Sequence, residues 1–135
     1  MNNQKNIVLC GVGGQGTVLA SKLLAAAAMS KDIPVMSAET IGMAQRGGSV
    51  FSHLRMGDNL YSPMIETGTA DLIIGFEPGE TVRMLPYLKD HGHIVVSTRA
   101  VKPVTATLSG SDYDAPQMLE YLKAAVPNLT LVNAD

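Results

Sequence analysis

The sequence predicts an α/β fold, a three-layer and mostly parallel sheet with an inserted hairpin or edge-strand region. Three observations predict it. Apolar runs at 6–10 (NIVLC), 70–77 (ADLIIGFE) and 93–99 (HIVVSTR) have the continuous character of strands buried in a parallel sheet. The first run ends in GVGGQG (11–16), four glycines in six positions, and opens at once into an Ala- and Leu-rich helical stretch. The segment TIGMAQRGG (40–48) is punctuated by glycine where a doubly wound fold would place another long helix.

The elements follow in order. Residues 16–31 read as a helix whose hydrophobicity, nearly all round, predicts packing on more than one side. Ile33-Pro34 ends it, and VMSAE (35–39) is a second strand that completes a β-α-β unit of Rossmann-like kind. Val50, His53 and Arg55 do not alternate cleanly, but Ser49, Val50 and Phe51 favour a strand there. Asp58-Asn59 marks a turn, and LYSPMI (60–65) is expected to pair back as a hairpin or edge strand, since Pro63 excludes a central one. PGETVRMLPYLKD (78–90) has helical spacing with Pro86 as its weak point. Residues 102–112 read as loop or edge, APQMLEYLKAAV (115–126) as a helix with proline near its start, and NLTLVNAD (128–135) as a last strand. There are no repeats, low-complexity tracts or linkers, so the 135 residues form a single domain.

Composition narrows the function. Ten basic and twelve acidic residues give a net charge of −2 without blocks of either sign. That excludes the basic stripe of a sequence-independent nucleic-acid binder and the basic amphipathic helix of a membrane-surface protein. Charged residues are only 16% of the chain, which points to surface covered by a partner. Cys10 is the single cysteine, so the chain alone can build neither an intrachain disulfide nor an iron–sulfur cluster. This favours a reducing, cytoplasmic setting, in keeping with a polar N-terminus that lacks a signal peptide.

The glycine turn carries the first functional signal. Gly11, Gly13 and Gly16 satisfy G-x-G-x-x-G between a strand and a helix, the context the pattern requires. Glycines admit positive φ and close backbone approach, and the helix start attracts an anion. Glu39, near the end of the second strand, is placed to bind ribose hydroxyls if the ligand is a dinucleotide. Against that stand an extra glycine, Gly14, and the amide of Gln15, and no lysine follows as a nucleoside-triphosphate loop would require. A turn that binds nothing remains the plain alternative.

The second signal is Arg46-Gly47-Gly48-Ser49, a loop able to approach a ligand with a guanidinium for phosphate or carboxylate. Both turns would face one crevice at the carboxyl ends of the strands; the alternative is an Arg46–Glu39 ion pair that pins a turn. Glu77 either lines that crevice or caps the helix after Pro78. Cys10 reads as a small hydrophobe, His53 as a strand-face residue, and His91 and His93 as solvated. No catalytic residue and no metal site is legible.

With these residues in hand, IVLCGVGGQGTVLASKLLAAAA, AETIGMAQRGGSVFSHLRMG, ADLIIGFEPGETVRMLPYL and HIVVSTRAVKP together resemble the gamma-type subunit or domain of the 2-oxoacid:ferredoxin oxidoreductases. The stretch ETIGMAQRGGSV is most similar to the small (beta) subunit of the indolepyruvate or arylpyruvate branch. The resemblance runs from Asn6 to about Pro103 and more loosely beyond. It implies an oxidoreductase subunit, inactive alone, that supports decarboxylation of a 2-oxoacid to an acyl-CoA. Thiamine diphosphate, Mg and iron–sulfur clusters are implied on a larger partner subunit, with ferredoxin reached through the complex and no cofactor held by this chain alone. The family's motifs carry over to Gly11, Gly13, Gly14, Gln15, Gly16 and Thr17, and to Arg46, Gly47, Gly48 and Ser49, as a crevice and subunit contact with CoA as the candidate ligand. Family small subunits continue past the last strand with further helices, which implies a C-terminally truncated chain, able to self-associate when isolated. The competing readings are a stand-alone dinucleotide-binding Rossmann module that uses Glu39, and a structural partner whose glycines only shape turns.

Overall fold

The computed structural model describes residues 4–13, 16–41, 49–99 and 115–133. Its elements are β1 (Lys5–Val12), α1 (Thr17–Ser30), β2 (Val35–Ile41), β3 (Ser49–Met56), β4 (Ala70–Gly75), α2 (Pro78–Arg83), a 3-10 turn (Leu85–Tyr87), β5 (Leu88–Ser97), α3 (Ala115–Ala125) and β6 (Asn128–Val132). The strands form one sheet in the order β2-β3-β1-β4-β5-β6. Strands β1, β4, β5 and β6 run parallel, while β3 is antiparallel to both β1 and β2. This is the three-layer, mostly parallel α/β fold that the apolar runs predict.

Alternation along β1 divides the core. Val8 and Cys10 join Ile73, Ile94, Val96, Leu122 and Val126 on the face covered by α2 and α3. Ile7 and Leu9 join Leu54 on the opposite face, where Ala20, Leu24 and Ala25 of α1 pack. The last six residues of β1 are all buried, as expected of a strand covered on both faces. Each such aliphatic side chain contributes about 1.5–3 kcal/mol of burial free energy, so β1 is the spine of the domain.

The β-α-β unit is present, but its strands are not neighbours. β3 lies between β1 and β2, and burial explains the order. Ser52, His53 and Leu54 are buried in succession, so β3 needs cover on both faces, whereas Ser37, Glu39 and Thr40 of β2 are exposed and suit an edge. The expected strand at 60–65 is absent. The positive φ of Asn59 and Gly68, 61° and 78°, turns the chain on either side of the segment. The segment's backbone groups bond instead to side chains: Arg55 Nη1 donates to the Ser62 carbonyl at 2.9 Å, and the Met64 amide donates to Ser62 Oγ at 3.1 Å, while Gln4 Nε2 holds the carbonyls of Asp58 and Asn59 just before it. The helix from Pro78 stops at Arg83 and gives way to the 3-10 turn containing Pro86. β5 starts earlier than its apolar run, at Leu88. The expected loop at 102–112 lies outside the described residues.

His53 pins the 57–69 segment to the sheet. Its Nδ1 accepts the Ile65 amide at 2.9 Å, which places the ring proton on Nε2. The ring is buried between Phe51 and Tyr87, with centroids 5.4 and 5.6 Å away, and Nε2 has no partner among the described residues. Burial lowers its pKa from the usual 6.5. The unfolded chain therefore binds a proton that the folded chain does not, so stability is full above pH 6.5 and falls as pH drops below it. The urea midpoint of the wild type should decline between pH 7 and pH 5.5 more steeply than that of His53→Gln, whose side-chain oxygen can still accept the Ile65 amide. Equal slopes would show that His53 is not responsible.

Candidate functional site

The site is assembled where three chain segments end on one edge of the sheet. β1 and β4 are parallel neighbours with Cys10 opposite Gly75, so both deliver their carboxyl ends to the same edge. β3 runs the other way and starts there, with Ser49 opposite Val12. From this point the chain after β1 passes to α1 on one face, and the chain after β4 passes to α2 on the other. This is the topological switch of an open α/β sheet, where such folds leave a crevice. The Phe76 amide donates to the Cys10 carbonyl at 2.8 Å and ties its two sides together.

On the α1 side, Gly16 is the helix N-cap at φ 91°, a conformation that strains any side-chain-bearing residue. No side chain caps α1 and no acid occupies its first turn, so its amide groups and dipole favour an incoming anion. Thr17 is 3% exposed, and its hydroxyl has no partner among the described residues. That donor set fits a phosphate or carboxylate.

The α2 side is acidic and tightly bonded. Glu77 is fully buried and caps α2, its carboxylate accepting the Glu80 amide at 2.9 Å. Its carbonyl accepts the Thr81 hydroxyl at 2.8 Å, and Cys10 Sγ in turn donates to Thr81 Oγ1 at 3.9 Å. Gly75 leaves room for this threonine: a Cβ there would lie 1.8 Å from Thr81 Oγ1. Ser49 Oγ donates to Glu80 Oε1 at 2.9 Å and accepts from Arg83 Nη1 at 3.1 Å. The start of β3 is thereby clamped to α2, and the exposed Arg83 guanidinium is held at the edge of the crevice.

The structure sorts the candidate residues. Gly13, Gly16, Thr17 and Ser49 come to the crevice edge. Gly11 lies within β1, paired with Val50, so the turn begins two residues later than the glycine pattern suggests. Gly14, Gln15, Arg46, Gly47 and Gly48 lie outside the described residues. Glu39 pairs with Ser52, which pairs with Leu9, so it is removed from the glycine turn by the full width of β3. At about 4.8 Å per strand and 3.3 Å per residue, it stands roughly 10 Å across and 10 Å down from the turn. A ribose hydroxyl held at Gly13 would be out of its reach, because β3 takes the place next to β1 that a dinucleotide fold gives to β2. Sequence reasoning missed Glu80, Thr81 and Arg83. Only the Glu77-Pro78 cap was legible, because the contact of Glu80 with Ser49 spans 31 residues and leaves no local pattern.

Among the described residues no three of His, Cys, Asp and Glu gather as a metal-binding group. The Cys10 thiol is pushed up to about 12, chiefly by burial, with the Thr81 hydrogen bond lowering it and the Glu80 and Glu77 charges raising it. A thiol so placed is neither a nucleophile nor a cluster ligand.

The chain matches the family described as "Pyruvate ferredoxin/flavodoxin oxidoreductase" over residues 6–134. It is 40% identical over 131 residues to indolepyruvate oxidoreductase subunit IorB of Archaeoglobus fulgidus, covering 96% of this chain and 65% of that one. It is 40% identical over 121 residues to the Pyrococcus horikoshii subunit of the same name, covering 90% and 58%. The chain therefore spans about three-fifths of the length of these relatives. Pyruvate oxidoreductase subunit PORC from Thermotoga maritima shares the fold with a TM-score of 0.64 at 20% identity, over 97% of this chain and 62% of that one. A 2-oxoglutarate:ferredoxin oxidoreductase from Magnetococcus marinus, solved with 2-oxoglutarate, coenzyme A and succinyl-CoA bound, shares it with a TM-score of 0.67 at 16% identity, over 98% of this chain and 20% of that one.

The shift of Cys10 from 9.0 to about 12 lowers its thiolate fraction near pH 8 by roughly a thousandfold. An aromatic disulfide reagent at pH 8 should therefore label the native protein at least about a hundredfold more slowly than the protein in 6 M guanidinium. Comparable rates would show that the thiol is not held in the core.

Proposed function

The chain belongs to the pyruvate ferredoxin/flavodoxin oxidoreductase family, and on that premise we propose that it is the gamma-type small subunit of a 2-oxoacid:ferredoxin oxidoreductase of the indolepyruvate branch. The observation that carries this reading is the sheet itself. An antiparallel β3 brings Ser49, the end of the RGGS motif, against the GVGGQG turn and displaces Glu39 from it. A dinucleotide module needs the opposite arrangement. Identity of 40% to the IorB relatives across nearly the whole chain supports the branch.

In this reading the larger, cytoplasmic partner carries thiamine diphosphate and iron–sulfur clusters, and supplies the decarboxylation and the transfer of electrons to ferredoxin. This chain contributes binding. The uncapped start of α1, the turn from Gly13 to Gly16 and the guanidinium of Arg46 receive an anionic group of the acyl acceptor, CoA. Each helix-dipole interaction of this kind contributes about 0.3–1 kcal/mol, and a charge-assisted bond from an arginine about 1.5–3 kcal/mol. The chemistry of the Magnetococcus marinus complex, solved with coenzyme A, supports that choice of ligand. Ser49, held by Glu80 and Arg83, fixes the start of β3 at the edge of the crevice.

The full-length natural protein, tagged in its own host and purified anaerobically, should elute with a larger chain, iron, labile sulfide and thiamine diphosphate. Elution alone, with measurable affinity for NAD or FAD, would overturn the reading. In the assembled complex, Arg46→Ala should raise the KM for CoA roughly tenfold or more while leaving the KM for the 2-oxoacid unchanged. Unaltered kinetics across CoA concentrations would remove Arg46 from the site.

A further inference from the structure

One cation at the crevice is held in place without being neutralised. Arg83 lies in the last turn of α2, and its side chain is 63% exposed. Its Nη1 donates to Ser49 Oγ at 3.1 Å, and that hydroxyl is itself fixed because it donates to Glu80 Oε1 at 2.9 Å. Glu80 Oε2 stands 4.0 Å away. The guanidinium is therefore aimed by a neutral hydroxyl and lacks the two-pronged carboxylate partner that its shape favours. Its Nε and Nη2 have no partner among the described residues. Glu77 and Glu80 add negative charge nearby, but both are buried and spent on the Glu80 amide and the Ser49 hydroxyl. The charge that this wall turns to the crevice is the guanidinium.

We propose that Arg83 reads the ribose phosphate of CoA, so that the site distinguishes CoA from dephospho-CoA. This inference rests on the ligand proposed above. Ser49 is paired with Val12, next to Gly13, so Arg83 and the glycine turn flank one mouth. With about 4.8 Å between strands, the Ser49 side chain and one hydrogen bond, the guanidinium lies roughly 10 Å from the end of β1. The two walls offer different partners to an anion. The start of α1 offers amide groups and the orphaned Thr17 hydroxyl, which suit the diphosphate, a group that open α/β sheets seat on a helix N-terminus. Arg83 offers a planar fork, which suits a terminal phosphomonoester. A ligand with one anionic group fills only one of these places. CoA, whose ribose carries a phosphate beside the diphosphate, fills both.

The test compares CoA with dephospho-CoA as acyl acceptor in the assembled complex that contains the full-length natural chain. The wild type should favour CoA in kcat/KM by roughly tenfold or more. Arg83→Gln should raise the KM for CoA by about that factor, and leave the KM for dephospho-CoA and for the 2-oxoacid within about twofold. Equilibrium binding of the two nucleotides to the resting complex should show the same split. Circular dichroism of the variant should match the wild type, because the side chain is largely exposed. A purely structural role for Arg83 would raise both KM values alike, so a parallel rise overturns the inference. An unchanged preference in Arg83→Gln, or a wild type that does not discriminate, overturns it as well. Those results leave the proposed function standing. A wild-type complex without CoA-dependent turnover would overturn the function and this inference together.

Discussion

The antiparallel pairing of β3 with β1, from Lys5 opposite Met56 to Val12 opposite Ser49, is the constraint on which the arrangement of this domain depends. It closes one side of the strand that forms the spine of the core. It carries β2 out to the edge, where its polar residues meet solvent. And because an antiparallel strand starts where its neighbour ends, it returns the chain to the mouth of the glycine turn. A parallel strand in that position would have begun at the far end of the sheet and left Ser49 remote from the crevice.

The acidic cluster on the far side of the crevice shows how two carboxylates are kept in the protein interior. Glu77 is held by the amide it caps, and Glu80 by the hydroxyl of Ser49, with the Arg83 guanidinium bonded to the same hydroxyl. Burying such groups without partners would cost several kcal/mol per ion. The cluster is therefore a structural joint between β3 and α2. Burial raises the Cys10 thiol most, and the charges of Glu80 and Glu77 add to it, which keeps that residue a packing group. The opposite side of the crevice has a different character: the start of α1 has no carboxylate in its first turn and leaves its amides open to an anion.

The crevice is thus asymmetric, with a closed acidic wall and an open, electropositive one. α1 forms the open wall and also presents the large apolar side chains that do not enter the core. Thr17, Ser21 and Ala28 are buried against the sheet with Ala20, Leu24 and Ala25 packed beside them, and Leu19 and Leu23 stand on the opposite side. The low charge content of the sequence has a physical location in this helix.

The sequence by itself determined the α/β class, the buried runs of β1, β4 and β5, and the cap at Glu77, because continuous apolar runs, glycine turns and a proline at a helix start are local patterns with local causes. The two-sided hydrophobicity of α1 was equally legible from its leucines and alanines. The missing strand at 60–65 was not, since its backbone is satisfied by the side chains of Arg55 and His53 from β3. Nor was the place of Glu39, which a β-α-β reading sets beside the glycine turn and the structure sets beyond β3. Strand order is decided by which strand needs cover on both faces, a question of burial across the whole sheet. The tertiary structure alone therefore brought Ser49 to the crevice, bound it to Glu80 and Arg83, and took the carboxylate of Glu39 away.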